Sequence, residues 1–201
     1  MEEGINEIQI DILKEIGNIG AGNATTALAK LINSKIDMKV PKVALVEFPY
    51  LAEIIGDEEQ LMVAILVTLS QDIKGMMMFM MDKKSAYYLV GQLLAGSGIE
   101  VNEDFGEMEM SAVSEIGNII TGSYLTALSS LLNMNIDMSI PYVSIDMAGA
   151  ILSVPAIEFG KIGDEVLLIQ TNFGDNMEVN GYFLLIPELQ SYEKILKALG
   201  M

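Results

Sequence analysis

Two stretches of the chain carry apolar residues at helical spacing over unusual length. In residues 5–33 they fall at Ile8, Ile12, Ile16, Ile19, Ala24, Ala27, Leu28 and Leu31. In residues 106–133 they fall at Met110, Val113, Ile116, Ile119, Leu125, Leu128, Leu131 and Leu132. Recurrence every three to four positions puts side chains on one side of an α-helix, so both stretches are predicted as long helices. Each runs into a segment of alternating character, Ile36–Leu45 and Ile136–Ile145, predicted as a strand. Pro41 and Pro141 lie inside these segments and are expected at an edge or bulge, because proline has no N–H for the ladder. Glu59–Ser70 and Ile73–Met81 are predicted as a hairpin turning at Gln71-Asp72, followed by a helix over Lys84–Leu94 that ends at Gly96. Further on, Glu165–Thr171 and Glu178–Ile186 read as strands joined through Asn172–Asn176, and Glu188–Leu199 as a closing helix. Met147–Leu152 is expected as a short extra helix.

The two long helices are copies. Glu15-Ile16-Gly17-Asn18 recurs 100 residues later as Glu115-Ile116-Gly117-Asn118. At the same offset Asp11 meets Ser111, Gly22 meets Gly122, Thr26-Ala27-Leu28 meets Thr126-Ala127-Leu128, and Ile36-Asp37-Met38 meets Ile136-Asp137-Met138. Pro41 meets Pro141, and about half of the positions from 11 to 41 are identical to their counterparts. The chain is a tandem duplication with halves at 5–98 and 105–200, joined near Ala95–Asp104, which is rich in glycine and acids. The expected fold is α+β and spans 1–201 as a single domain. Each half is helix–three strands–helix, and the halves share one mainly antiparallel sheet with pseudo-two-fold symmetry, because either half alone would bury too little. The run Met76, Met77, Met78, Met80 and Met81 points to both faces of its strand, which fits a strand buried on both sides.

Composition narrows the chemistry. Apolar residues make up 51 % of 201, and the mean hydropathy is +0.41. No apolar run approaches the roughly 20 residues that span a bilayer. The acidic start Met1-Glu2-Glu3-Gly4 lacks the basic and apolar stretches of a signal peptide, so a soluble cytoplasmic protein is expected. Cys, His and Trp are absent, and all 11 basic residues are lysine. That excludes disulfides, thiolate nucleophiles, Ser-His triads, imidazole ligands and arginine clamps. A net charge of −17 opposes binding to nucleic acid or anionic membrane. The same charge keeps an apolar core in solution or meets a basic partner.

At about 100° per residue, Asp11, Glu15, Asn18 and Gly22 fall within a stripe roughly 60° wide, and Ser111, Glu115, Asn118 and Gly122 repeat it. Glycine within a helix costs about 0.5–1 kcal/mol against alanine, yet both helices carry matched glycines at 17/117 and 22/122. Gly22 and Gly122 leave room for another molecule to approach the backbone. A single such stripe is better explained as a solvated face; its repetition favours function. An asparagine amide can hold a water by donating and accepting hydrogen bonds, as a glutamine amide does in some phosphoryl transfers. A glutamate can fix a cationic group by a charge-assisted hydrogen bond. Such chemistry requires a partner that brings its own metal and an activated phosphate.

The pattern [Asp or Ser]-x3-Glu-x2-Asn-x22-Pro, complete as Asp11, Glu15, Asn18, Pro41 and again as Ser111, Glu115, Asn118, Pro141, resembles the signature of the CheC/CheX/FliY phosphatases of chemotaxis. The resemblance covers essentially the whole chain and is strongest to the CheC type. It implies hydrolysis of the aspartyl phosphate on a CheY-type response regulator. Asn18 and Asn118 would orient the attacking water, and Glu15 and Glu115 would pair with a regulator lysine. The Mg²⁺ would be the regulator's, with no metal on this chain. It also implies binding to the receptor deamidase CheD. The segment Val143–Leu152, with Asp146 inside it and no evident counterpart in the first half, is the expected docking surface. Gly20, where the second helix has Ile120, suggests a looser first site and a stronger second one. The duplication supplies internally what a dimer would supply, so a monomer is expected. Two other readings stay open: an adaptor that holds CheD or the regulator with little turnover, and a flagellar switch component.

Overall fold

The structure is a computed structural model and describes residues 7–95, 98, 101–102, 104–159, 165–173 and 179–200. The first half runs α1 (Glu7–Leu31), β1 (Met38–Glu47), a 3-10 turn (Phe48–Tyr50), α2 (Leu51–Ile55), β2 (Leu61–Gln71), β3 (Gly75–Asp82) and α3 (Lys83–Leu94). The second runs α4 (Glu107–Leu132), β4 (Ile136–Met138), β5 (Tyr142–Met147), α5 (Ala148–Phe159), β6 (Glu165–Phe173), β7 (Val179–Pro187) and α6 (Leu189–Ala198). The first two residues of the predicted first helix, part of the junction, the turn at 174–176 and the first residue of the predicted last strand lie outside the described residues.

Among the described residues the strands form one seven-stranded sheet in the order β1-β6-β7-β3-β2-β4, with β5 also on β2. Every pairing is antiparallel. The halves exchange strands: β1 of the first half pairs with β6 of the second, and β4 and β5 of the second pair with β2 of the first. The hairpins β2–β3 and β6–β7 meet at the centre, where Phe79 faces Phe183. Neither half could complete its edge alone, so the sheet is a joint product of both.

The sheet is buried on two faces, and the period of two in the strands decides which residue goes where. Met77, Phe79 and Met81 pack with Ile16, Leu28, Ile116 and Leu128 of the long helices. Met76, Met78 and Met80 pack on the opposite face with Leu51, Ile55, Ile151 and Leu152 of α2 and α5. The methionine strand is therefore core on both sides. Gly75 opens it with φ +145° at a point where a Cβ would meet the Ile186 carbonyl, a backbone geometry reserved for glycine.

The structure refines several expectations. Each half adds a helix within the expected helix–three strands–helix order, α2 between β1 and β2 in one and α5 between β5 and β6 in the other. The helix expected over Met147–Leu152 is α5, which extends to Phe159 with Pro155 inside. The segment Val143–Leu152 does have a counterpart: β1 likewise leads through the Phe48–Tyr50 turn into α2, which packs beside α5. It was missed because α2 is only five residues long, too short for periodicity to show. Finally, β1 passes Pro41 through an irregularity between Lys39 and Lys42, as expected. The counterpart segment instead breaks at Ser139–Pro141 into β4 and β5.

Candidate functional site

The two long helices lie side by side on one face of the sheet. Their buried sides carry Leu13, Ile16, Ala24 and Leu28 in α1, and Val113, Ile116, Ile120 and Leu128 in α4. The glycines next to the motif set how closely the helices sit on the sheet. A Cβ at Gly17 would lie 3.1 Å from Cγ1 of Val40, and one at Gly117 would lie 2.6 Å from Cγ2 of Ile65. Both are helix-to-sheet contacts, and they anchor the turn of helix that carries Glu15 and Asn18, or Glu115 and Asn118. Gly20 is a third contact, against Tyr124 of α4, with Tyr124 Cα 3.0 Å from where its Cβ would stand. Gly20 is thus a packing residue and offers no reason for a looser first site.

With the helices anchored, the polar stripe faces outward. Asp11, Glu15, Asn18, Gly22, Ser111, Glu115 and Asn118 are all exposed, and Gly122 is half-buried. Among the described residues no hydrogen bond or ion pair engages the side chains of Glu15, Asn18, Glu115 or Asn118. Each helix therefore presents a Glu carboxylate and an Asn amide a turn apart, without a partner among the described residues. A Cβ at Gly22 would meet nothing within 4 Å, whereas at Gly122 the methyl of Met138 is 3.5 Å away. Gly22 is thus open to an approaching surface, and Gly122 is more enclosed.

Two residues that sequence reasoning did not assign a role complete the symmetry. The Thr26 hydroxyl donates to the Gly22 carbonyl at 2.9 Å, and that of Thr126 to the Gly122 carbonyl at 2.7 Å. Such bonds to the carbonyl four residues back occupy the backbone acceptor beside the small residue. Their signal was present in the repeated Thr-Ala-Leu. The prolines stand off the stripe: Pro41 follows Val40 at the irregularity in β1, and Pro141 lies between β4 and β5. Asp146 is exposed on β5 and accepts from the Met147 N–H at 2.8 Å. Its strand neighbours Val143 and Ile145 pack towards the long helices, so Asp146 points to the other face of the sheet, away from the stripe. Among the described residues no group of three His, Cys, Asp or Glu side chains could hold a metal ion, and no helix is long and apolar enough to cross a membrane.

The fold is α+β, with one sheet assembled from two interlocked copies and an exposed Glu–Asn pair on the outer side of each long helix. The chain belongs to the CheC-like family, whose sequence profile matches residues 8–45 and 108–145. It is 38 % identical over 202 residues, 98 % of this chain and 96 % of the relative, to the CheY-P phosphatase CheC of Bacillus subtilis. The crystal structure of Thermotoga maritima FliY shares the fold with TM-score 0.76 at 24 % identity, covering 98 % of each chain. A chain in the crystal structure of the CheX–CheY–BeF3–Mg²⁺ complex from Borrelia burgdorferi is also similar, with TM-score 0.53 at 18 % identity over 89 % of this chain and 99 % of that one.

Proposed function

We propose that this chain is a phosphatase that hydrolyses the aspartyl phosphate of a CheY-type response regulator. The observation that carries the reading is the repeated pair of exposed, unpartnered side chains Glu15/Asn18 and Glu115/Asn118 on helices fixed to the sheet by Gly17 and Gly117. The curated relative is a CheY-P phosphatase, and the Borrelia structure is of a CheX bound to CheY with a phosphate mimic. Both support the same substrate class.

Each long helix enters beside the phosphorylated aspartate. The Asn18 or Asn118 amide accepts a hydrogen bond from a water and donates one to hold it, so that a water lone pair faces phosphorus opposite the aspartyl oxygen. The new P–O bond forms as the acyl–phosphate P–O bond breaks. The aspartate leaves as carboxylate, a good leaving group that needs no acid; one water proton stays on the new phosphate oxygen and the other passes to solvent. Glu15 or Glu115 pairs with a lysine of the regulator's pocket and so sets the helix in register. Mg²⁺ is held by the regulator and balances the phosphoryl charge. With no His, Cys or Arg, this chain contributes placement rather than a strong base or nucleophile.

A second partner, the receptor deamidase CheD, is proposed for the opposite side of the sheet. Asp146 lies on that face, as does α5, on which Val154 and Ile157 are exposed. Both partners could then bind one monomer at once. Asp146→Lys is expected to weaken CheD binding; unchanged binding would remove this placement.

The test is phosphate loss from a purified, phosphorylated CheY-type regulator with Mg²⁺, alone, with this protein, and with the Asn18→Ala/Asn118→Ala variant. Faster loss that vanishes in the variant is the expected result. No acceleration, with CheD absent and then present, would make the chain an adaptor and the stripe a docking surface.

A further inference from the structure

Each Glu–Asn site has an apolar neighbour that the helix does not need. Met108 is 48 % exposed and Ile8 is 72 % exposed, exactly one repeat apart in the duplication, although most large apolar residues of α1 and α4 face the core. At 100° per residue each lies within about 20° of Glu15 or Glu115 around the helix, two turns towards the N-terminus. One turn beyond the glutamate, on the same side, stand Ile19, 41 % exposed, and half-buried Ile119. Both helices thus repeat an order along one stripe: apolar, Asp or Ser, Glu, Asn, apolar. The residue type at the first position changes from isoleucine to methionine between the copies; only size and apolar character are kept.

From residue 8 to 19, or 108 to 119, the stripe is about 16 Å long at 1.5 Å rise per residue. That is longer than a small phosphorylated molecule but fits the footprint of a protein surface. A core of apolar contact beside a few directed polar groups is how protein interfaces hold a reacting pair in place.

We propose that Ile8 and Met108 are the apolar anchors by which the two sites dock the phosphorylated response regulator, gripping its surface beside the phosphate pocket while Glu and Asn enter it. This rests on the phosphatase reading and adds where affinity, as distinct from turnover, is generated. The contact is uniform along the reaction: it binds the regulator before and during hydrolysis alike. Removing it raises KM and leaves kcat, whereas removing the asparagines lowers kcat.

The experiment uses the full chain with Ile8→Ser/Met108→Ser. The binding probe is a CheY-type regulator loaded with beryllofluoride and Mg²⁺, and the substrate is the same regulator phosphorylated. Expected are rises of about tenfold in both Kd and KM, from loss of one buried apolar side chain per site, with kcat and the melting temperature unchanged. Ile8→Leu/Met108→Leu should restore wild-type affinity. A wild-type chain that binds and hydrolyses, beside a serine variant with unaltered Kd and KM, would overturn the anchors alone. A wild-type chain that does neither would overturn the site reading and the anchors with it. If the serine variant instead turns a dimer into a monomer on sedimentation with KM unchanged, the face belongs to a second copy and the inference fails.

Discussion

Gly20 of α1 lies against the ring of Tyr124 of α4, with Cδ1 and Cγ of the ring 2.8 Å from where a glycine Cβ would stand. The Tyr124 ring in turn stacks on Phe183 at 4.0 Å between centroids, and Phe183 on Phe79 at 4.6 Å. One column of side chains thus joins α1, α4, β7 and β3 at the centre of the molecule. The counterparts in the duplication are Ala24 for Tyr124 and Ile120 for Gly20, so the two helices differ in volume where they meet. Gly20→Ala is expected to lower stability by about 1–2 kcal/mol, since overpacking beside backbone outweighs the better helix propensity of alanine. A denaturant melt checks it; a gain in stability would mean that the helices separate freely.

Gly22 is the opposite case, because open space surrounds its missing side chain. Gly22→Ala should stabilise the fold by about 1 kcal/mol through helix propensity. It should also slow regulator dephosphorylation at the first site if the glycine admits the partner's surface. Paired melts and phosphate-loss assays would read both effects; a stabler protein of full activity would assign Gly22 no part in docking.

Val40 and Ile140 are equivalent in sequence and opposite in fate. Val40 is buried against Gly17, whereas Ile140 is 89 % exposed beside Pro141. Val40→Ala should cost about 2 kcal/mol, and Ile140→Ala should stay within about 0.5 kcal/mol of the parent. Equal losses in urea titrations would contradict the exposure of the β4–β5 break.

Glu109 gives a pH signature. It is buried in the first turn of α4 and accepts from the Asn102 N–H at 2.8 Å. That bond, followed by backbone N–H groups of Glu109 itself and Gly106, holds its pKa below the usual glutamate value despite desolvation. A carboxylate with a depressed folded pKa contributes stability above its unfolded pKa, and loses it as pH falls through the folded value. The melting temperatures of the parent and Glu109→Gln should therefore differ at pH 7 and converge as pH falls through the lowered folded value. A gap that persists at acid pH would show that the ionised carboxylate is not what the helix start uses.

Much of the candidate site was legible in the chain because duplication and helical period are signals of residue order alone. The offset of the two Glu-Ile-Gly-Asn motifs placed both polar stripes, and the structure leaves those stripes on the outer sides of α1 and α4. The methionine run announced a strand buried on both faces, and Pro41 announced a break in the ladder. Each of these is read by comparing residue types along the chain, without knowing which segments touch.

Contacts between distant segments were not legible. That β1 pairs with β6 and β5 with β2, that Gly17 meets Val40 while Gly117 meets Ile65, and that Gly20 receives Tyr124 were decided only when both halves folded together. Amphipathic period says that a residue faces a core, but not which residue it meets there. The identity of that neighbour is set by strand pairing and side-chain volume across the whole sheet. Two nearly identical local patterns can therefore end in different surroundings, as Val40 and Ile140 do.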